Sequence, residues 1–226
     1  MIGIPSTGHQ LTILPGQFGE RLQDINPLAG INWVELRKAY SVFIDNPSQG
    51  ILHIITAARR STWQKWVINR LARQAPHLQH ADLQIDMQDL LQLPEDTLGG
   101  AYAKHIVSQG FDPEAFATPE NVHWVDKRAS LSHDVYHVIT GFDGTPVGEF
   151  GLAAFAAIQY RDLLNAFVLS HVPYFMMGYP KSIGELWQAL LKGFRMGLQS
   201  KPVFAYPFEQ NWHKPVQQVR QELGII

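Results

Sequence analysis

The chain has 226 residues, enough for one large domain, and its 46% hydrophobic and 11% aromatic content is ample for a buried core. Lys and Arg number 18 against 20 Asp and Glu, a formal net charge of -2 with no run of five like charges, which disfavours electrostatic docking on nucleic acid. Cysteine is absent, which excludes disulfide scaffolds, thiolate metal sites and cysteine nucleophiles together and leaves chemistry to His, carboxylates or hydroxyls.

Residues 1–30, punctuated by Gly8, Pro15, Gly16, Gly19, Pro27 and Gly30, read as an irregular lead-in. The opening MIGIPSTGHQLTILPG has neither the basic start and apolar core of a secretory signal nor the Arg-rich character of a transit peptide, so a cytoplasmic protein is expected. Asn32 with Glu35 resembles a capping pair, followed by a helical stripe of Leu36, Tyr40, Phe43 and Ile44 that Asn46-Pro47 stops. Gly50 to Arg59 is apolar on one side. Ser61 with Gln64 opens a helix whose Trp63, Trp66, Ile68 and Leu71 face inward, ending before Pro76. Asp86 starts a short turn of helix through Leu91, Pro94 resets the chain, and Leu98, Tyr102 and Ile106 mark another helix that Gly110 can close in the left-handed conformation.

Val122, Val125, Ala129 and Val138 suggest one long helix from about Asn121 to Thr140, and Gly141 to Pro146 is a turn cluster. A second long helix from about Val147 to His171 would run roughly 37 Å at about 1.5 Å per residue. The apolar stretch Phe150 to Tyr179 is interrupted by Arg161 and Asp162, so no transmembrane helix is expected. Ser182 with Glu185 is expected to cap a helix carrying Leu186, Leu190 and Phe194, and Pro215 to Leu223 closes with Gly224. With no sustained two-residue alternation, the expected fold class is all-α: a single-domain helical bundle spanning 1–226.

The chemistry concentrates in SHDVYHVITGFDGTPVGEF, residues 132 to 150. On a helix, His133 and His137 project from one face a turn apart, and Asp134 lies about 100° round the axis, placed to bind from the side, through water, or to hold an imidazole from behind. The Gly141 to Pro146 turn would return the chain so that Glu149 faces the histidines. Two neutral imidazoles and one or two carboxylates are a divalent-metal set: zinc with an open position fits, and so does non-haem iron. The competing reading is a solvated helix face, with Glu149 merely complementing a helix N-terminus. His53, His77, His80, His105, His123, His171 and His213 have no partner at ligand spacing and read as structural or surface residues.

The motif H-D-x-x-H, eleven residues, then E, formed by His133, Asp134, His137 and Glu149, resembles that of the coenzyme Q (ubiquinone) biosynthesis protein 4 family. LQLPEDTLGGAYAKHIVSQGFDPEAF and NPSQGILHII resemble its upstream segments, and a late Trp and Pro followed by VRQELGI resembles its ending, so the likeness covers about four fifths of the chain from roughly Trp33. Just before the HD pair this chain has DKRASLS where family members are usually Arg/Glu-rich, and residues 165 to 180 follow the pattern loosely.

The resemblance implies an all-helical protein, peripheral on a membrane face, with a divalent metal, zinc first and Fe2+ or Mg2+ as alternatives, held by His133, Asp134, His137 and Glu149. It implies a polyprenylated quinone precursor as ligand, a homodimer, other quinone-biosynthesis enzymes as partners, and a part in removing the C1 carboxylate of a polyprenyl-hydroxybenzoate head group. A prenyl tail needs apolar lining, for which Phe155, Phe175, Met176 and Met177 are the candidates, the last three because Pro173 and Gly178 bracket them in an expected non-helical surface segment. Lys127 and Arg128 are candidates for an anionic head group. Two alternatives are a non-catalytic prenyl-lipid scaffold or carrier and an HD-type phosphohydrolase, which would need a further His and Asp in place of Glu149.

Overall fold

A computed structural model describes residues 26, 28–81, 85–110 and 123–225. All regular structure among them is helical, apart from one isolated bridge between Thr97 and Pro215. Most of the expected lead-in, residues 1–25 and 27, lies outside the described residues, as do FDPEAF and the expected helix start at Asn121 and Val122.

The first helices form where side chains satisfy the orphan amides of a first turn. Asn32 Oδ1 accepts from Val34 and Glu35 at the head of α1 (Trp33–Val42), and Asn46 caps α2 (Pro47–Ala58), where Pro47 takes a position that needs no amide hydrogen. Ser61 caps α3 (Thr62–Gln74) and Asp86 caps the one-turn α4 (Met87–Leu90). Thr97 caps α5 (Leu98–Gln109), which ends at Gly110 with φ 65°.

The two long helices expected from periodicity are each broken. α6 (Trp124–Leu131) and α7 (His133–Thr140) are separated at Ser132, and α8 (Pro146–Tyr160) and α9 (Leu163–Ser170) are separated at Arg161 and Asp162. At the second break Arg161 adopts φ 53°, its carbonyl accepts from Trp63 Nε1 at 2.7 Å, and the Asp162 side chain caps α9 through the amide of Asn165. Arg70 from α3 donates to the carbonyls of Gln159 and Tyr160, satisfying the end of α8. Periodicity alone runs through such a break, because the apolar stripe continues on both sides of it.

The remaining helices are α10 (Val172–Gly178), α11 (Ile183–Gln199) and α12 (Val216–Leu223). Residues 173 to 178, expected to be non-helical, therefore lie within α10, where Pro173 sits in the first turn and is compatible with helix. Ser182 does not cap α11 through its side chain; it ends a short 3-10 turn, Pro180–Ser182, that runs directly into that helix.

α8 is the axis of the molecule, buried from Phe150 to Ala156, and its broadest contact is with α11. Glycine makes that approach possible: a Cβ at Gly193 would stand 2.1 Å from the carbonyl oxygen of Gly151, and one at Gly197 would stand 2.8 Å from that of Phe155. The largest apolar cluster joins Leu71, Tyr102, Ile106, Ile139, Phe155, Phe204 and Phe208, so α3, α5, α7, α8 and the C-terminal segment share one core. α5 and α12 both pack on α7. Arg220 from α12 donates to the carbonyls of Val138 and Ile139, each at 2.9 Å, and so caps the C-terminal end of α7.

Candidate metal centre

The corner between α7 and α8 is built by its own sequence. Gly141, at φ 73°, ends α7 in a conformation that costs other residues steric strain. Asp143 Oδ1 accepts from both the amide and the hydroxyl of Thr145, and Thr145 in turn caps α8 through the amide of Gly148, with Pro146 in the first turn. This short corner brings Glu149, in the first turn of α8, against His133 and His137 on α7.

His133 Nε2 and His137 Nε2 lie 3.3 Å apart, and the Glu149 oxygens stand 3.8 Å and 3.2 Å from them. Each residue offers a ligand atom, and the three atoms fall within 4.8 Å of one another. Tips this close lie within the span that bonds of about 2 Å to a shared cation can bridge. His137 is buried, while His133 and Glu149 keep 47% and 40% of their side-chain surface, so the group opens to one side. The Nδ1–H of His137 donates to the carbonyl of Phe142 at 2.9 Å, so Nε2 is the nitrogen that faces the group and the one able to offer a lone pair once its proton is given up. That arrangement is what a metal-binding imidazole requires, and the donor set fits a divalent ion with an open position.

Charge is distributed accordingly. Burial pushes His137 down, but the hydrogen bond and negative charge of Glu149 outweigh it and lift its pKa above the ordinary imidazole value. Glu149 is the counterpart: burial raises it, yet its bond to His137 and the charge of His133 leave it below the ordinary carboxylate value. Desolvation and the neighbouring His137 lower His133 below the ordinary imidazole value, against the opposing pull of Glu149.

Asp134 is not part of that triad. It stands with His105 of α5, whose Nε2 lies 3.8 Å from Asp134 Oδ1, and a second group of donor atoms within 4.8 Å joins His105, Asp134 and His137. The His105 ring stacks on His137 at 5.1 Å and 23°. Burial raises Asp134, but the imidazoles of His105, His133 and His137 hold it below the ordinary carboxylate value. Reading His105 as an isolated structural or surface residue therefore missed it. Its only signal was its place one turn after Tyr102 on the stripe of α5, and no spacing in sequence links it to α7.

Packing separates the remaining candidates. Arg128, expected to meet a head group, is 4% exposed and bonds Glu209 with both terminal nitrogens, at 3.3 and 3.1 Å, and the Tyr206 carbonyl at 2.7 Å. It is a structural anchor, and it supplies a buried salt bridge from the very segment that departs from the family pattern. Phe155 is fully buried in the main core, packed among protein side chains rather than open to the surface groove. Phe175 and Met176 are partly buried against Phe150, Leu186 and Leu190, and Met177 is 81% exposed. Lys127 is exposed on α6. A groove of about 580 Å³ runs beside the start of α8, between Phe142, Pro146 and Gly148 on one wall and Phe175, Tyr179 and Ala189 on the other. Among the described residues no helix is long and apolar enough to cross a membrane.

Fold and site together define an all-helical protein with an imidazole–carboxylate cluster, fit for a divalent ion, at the mouth of a helix corner. Residues 51–226 match the family model of coenzyme Q (ubiquinone) biosynthesis protein Coq4, and the chain belongs to that family, a family of ubiquinone biosynthesis. It is 27% identical over 230 residues to the mitochondrial ubiquinone biosynthesis protein COQ4 of Eremothecium gossypii, covering 98% of this chain and 66% of that protein. It is 30% identical over 165 residues to the mitochondrial coq4 of Penicillium rubens, covering 69% of this chain and 55% of that protein. The chain thus spans between 55% and 66% of the length of these two relatives. The crystal structure of a Nostoc punctiforme PCC 73102 protein, provisionally assigned to ubiquinone biosynthesis, superposes with a TM-score of 0.73 at 23% identity, covering 86% of this chain and 99% of that one, and shows the same fold. Family membership takes the place of the phosphohydrolase reading.

Proposed function

We propose that this protein is a divalent-metal-dependent component of ubiquinone biosynthesis that binds a polyprenylated aromatic precursor and assists removal of the C1 carboxylate from its head group. The observation that carries this reading is the convergence of His133 Nε2, His137 Nε2 and a Glu149 oxygen within 4.8 Å, with the opposite nitrogen of His137 already committed to Phe142. Zinc is the first choice of ion for this donor set and Fe2+ the next, while Mg2+, which prefers oxygen ligands, fits it least well. His133, His137 and Glu149 would hold the ion, which when bound would supply Lewis-acid polarisation to an acidic head group; an oxidative reaction would call for iron in place of zinc, which has no redox chemistry. The chain's own part is to orient. His137 is fixed by the Phe142 carbonyl and by the capped end of α7, Glu149 by the first turn of α8, and Asp134 lies on the flank of the pair.

The groove beside Phe142 and Phe175 is open and lined partly by aromatic groups, and it serves the beginning of a prenyl chain, with Phe142, Phe175 and Tyr179 as its aromatic lining. In this reading Lys127, exposed on the helix that precedes the site, meets the anionic lipid surface or head group. Zinc or iron content of protein purified without added metal, with head-group turnover in wild type, His137→Ala and Glu149→Ala, tests the reading. Loss of both metal and turnover with lipid binding retained is the expected result; wild type that holds no metal overturns it.

A second reading is a non-catalytic prenyl-lipid scaffold, and it is favoured by exposed apolar residues on α10 and α11: Tyr174, Met177, Trp187, Leu191 and Leu198, from 51% to 81% exposed. Such a face suits peripheral contact with a membrane, a homodimer or other enzymes of the pathway. Lipid binding with no turnover by any metal-loaded form would favour it.

A further inference from the structure

We infer that His105 is a positioning residue of the metal centre: from α5 it holds the Asp134 carboxylate beside the His133–His137 pair and braces the His137 ring, and thereby sets how tightly an ion is held. The inference rests on the reading that His133, His137 and Glu149 bind a divalent cation.

Two groups of donors share His137, one with His133 and Glu149, the other with His105 and Asp134. They cannot both be ion seats. With its Nδ1–H donated to Phe142, the neutral His137 can offer an ion one lone pair, at Nε2, and that atom stands 3.3 Å from His133 Nε2 and 3.2 Å from Glu149. Imidazole lone pairs lie in the plane of the ring, whereas His105 is stacked over its face at 5.1 Å and 23°. An ion held in plane by His137 is therefore shared with His133 and Glu149, and His105 is left on the side where no lone pair points. His105 reaches the site through Asp134 instead. The two side chains retain only 14% and 16% of their surface, and Nε2 to Oδ1 is 3.8 Å, about 1 Å of side-chain movement from a full hydrogen bond.

The packing of α5 on α7 makes this a fixed arrangement. Tyr102, one turn before His105, is buried at 1% exposure, and Ile106 beside it is buried in the same core, so the His105 ring is carried by a rigid helix. A carboxylate held next to metal-binding imidazoles strengthens their donation and fixes their orientation, and loss of such a partner typically weakens metal affinity by about 10–100-fold.

Cobalt(II) is the probe, with affinity measured by chelator competition and geometry read from the visible absorption of the bound ion. His105→Phe keeps a flat ring against His137 and removes the group that faces Asp134; it is expected to weaken cobalt binding by about 10–100-fold and to change the absorption bands. Asp134→Asn should match it, and the double variant should be no weaker than either single one, because the two act as a unit. His105→Gln, which keeps a donor, should recover most of the affinity, and it carries the comparison if the Phe variant fails to fold. Cobalt affinity of His105→Phe within about twofold of wild type, or an additive double variant, overturns the inference alone. Wild type that binds no cobalt removes the metal reading and this inference with it.

Discussion

Arg128 and His137 are nine positions apart on consecutive helices, both almost fully buried, and they teach opposite lessons about a buried polar side chain. Arg128 donates to Glu209 and to backbone carbonyls, so its donors have protein partners and its charge is neutralised. His137 is anchored by one nitrogen only, and its other nitrogen meets a second imidazole and a carboxylate, groups rich in lone pairs. A closed set of partners marks an anchor. A convergence of acceptors marks a place for something positive, a proton or a metal ion.

The largest effect that would sharpen this contrast is expected from Arg128→Met. It leaves the Glu209 carboxylate, 12% exposed, without its partner, and should cost about 3–5 kcal/mol in denaturant unfolding, with metal affinity of the folded protein unchanged. A loss under about 1 kcal/mol would mean that Arg128 is not the anchor described. His137→Ala should do the reverse: zinc affinity measured by chelator competition falls by more than about 100-fold, about 3 kcal/mol, while unfolding stability of the metal-free protein changes far less.

The third effect is on pH. Glu149 holds the proton of His137 to a higher pH than an ordinary imidazole keeps it, and a metal ion must displace that proton. Zinc affinity should therefore rise by up to about tenfold per pH unit while pH climbs through the raised pKa of His137, and level off above it. In the metal-free protein the sign is opposite. The protonated His137–Glu149 pair contributes its full stability below the unfolded imidazole pKa and loses that contribution as pH rises through the folded value. Isothermal titration and thermal melts across the same pH series check both directions, and parallel trends would break the account. The smallest effect belongs to the exposed Met177: Met177→Ser should shift unfolding by no more than about 0.5 kcal/mol, while weakening attachment to anionic vesicles if α10 meets a membrane.

Much of the helix framework is readable where a signal acts locally. Asn32, Ser61 and Asp86 cap the helices that follow them, and Gly110 and Gly224 end theirs at positive φ, because caps and left-handed glycines depend on atoms within three or four residues. Two breaks escaped periodicity, at Ser132 and at Arg161, since the apolar stripe resumes on the far side. Asp162 with Asn165 held the second signal, a capping residue inside an apolar run.

The sequence by itself determined that His133, His137 and Glu149 would be neighbours, because one helical turn and one short corner of glycine, aspartate, threonine and proline place them within reach whatever the rest of the chain does. Tertiary structure alone decided the rest. It turned Arg128 and Phe155 inward, laid 173–178 out as helix, and drew His105 from a different helix onto the face of His137. Those outcomes depend on contacts between segments tens of residues apart, and no local spacing encodes which side chains a packed core will bring together.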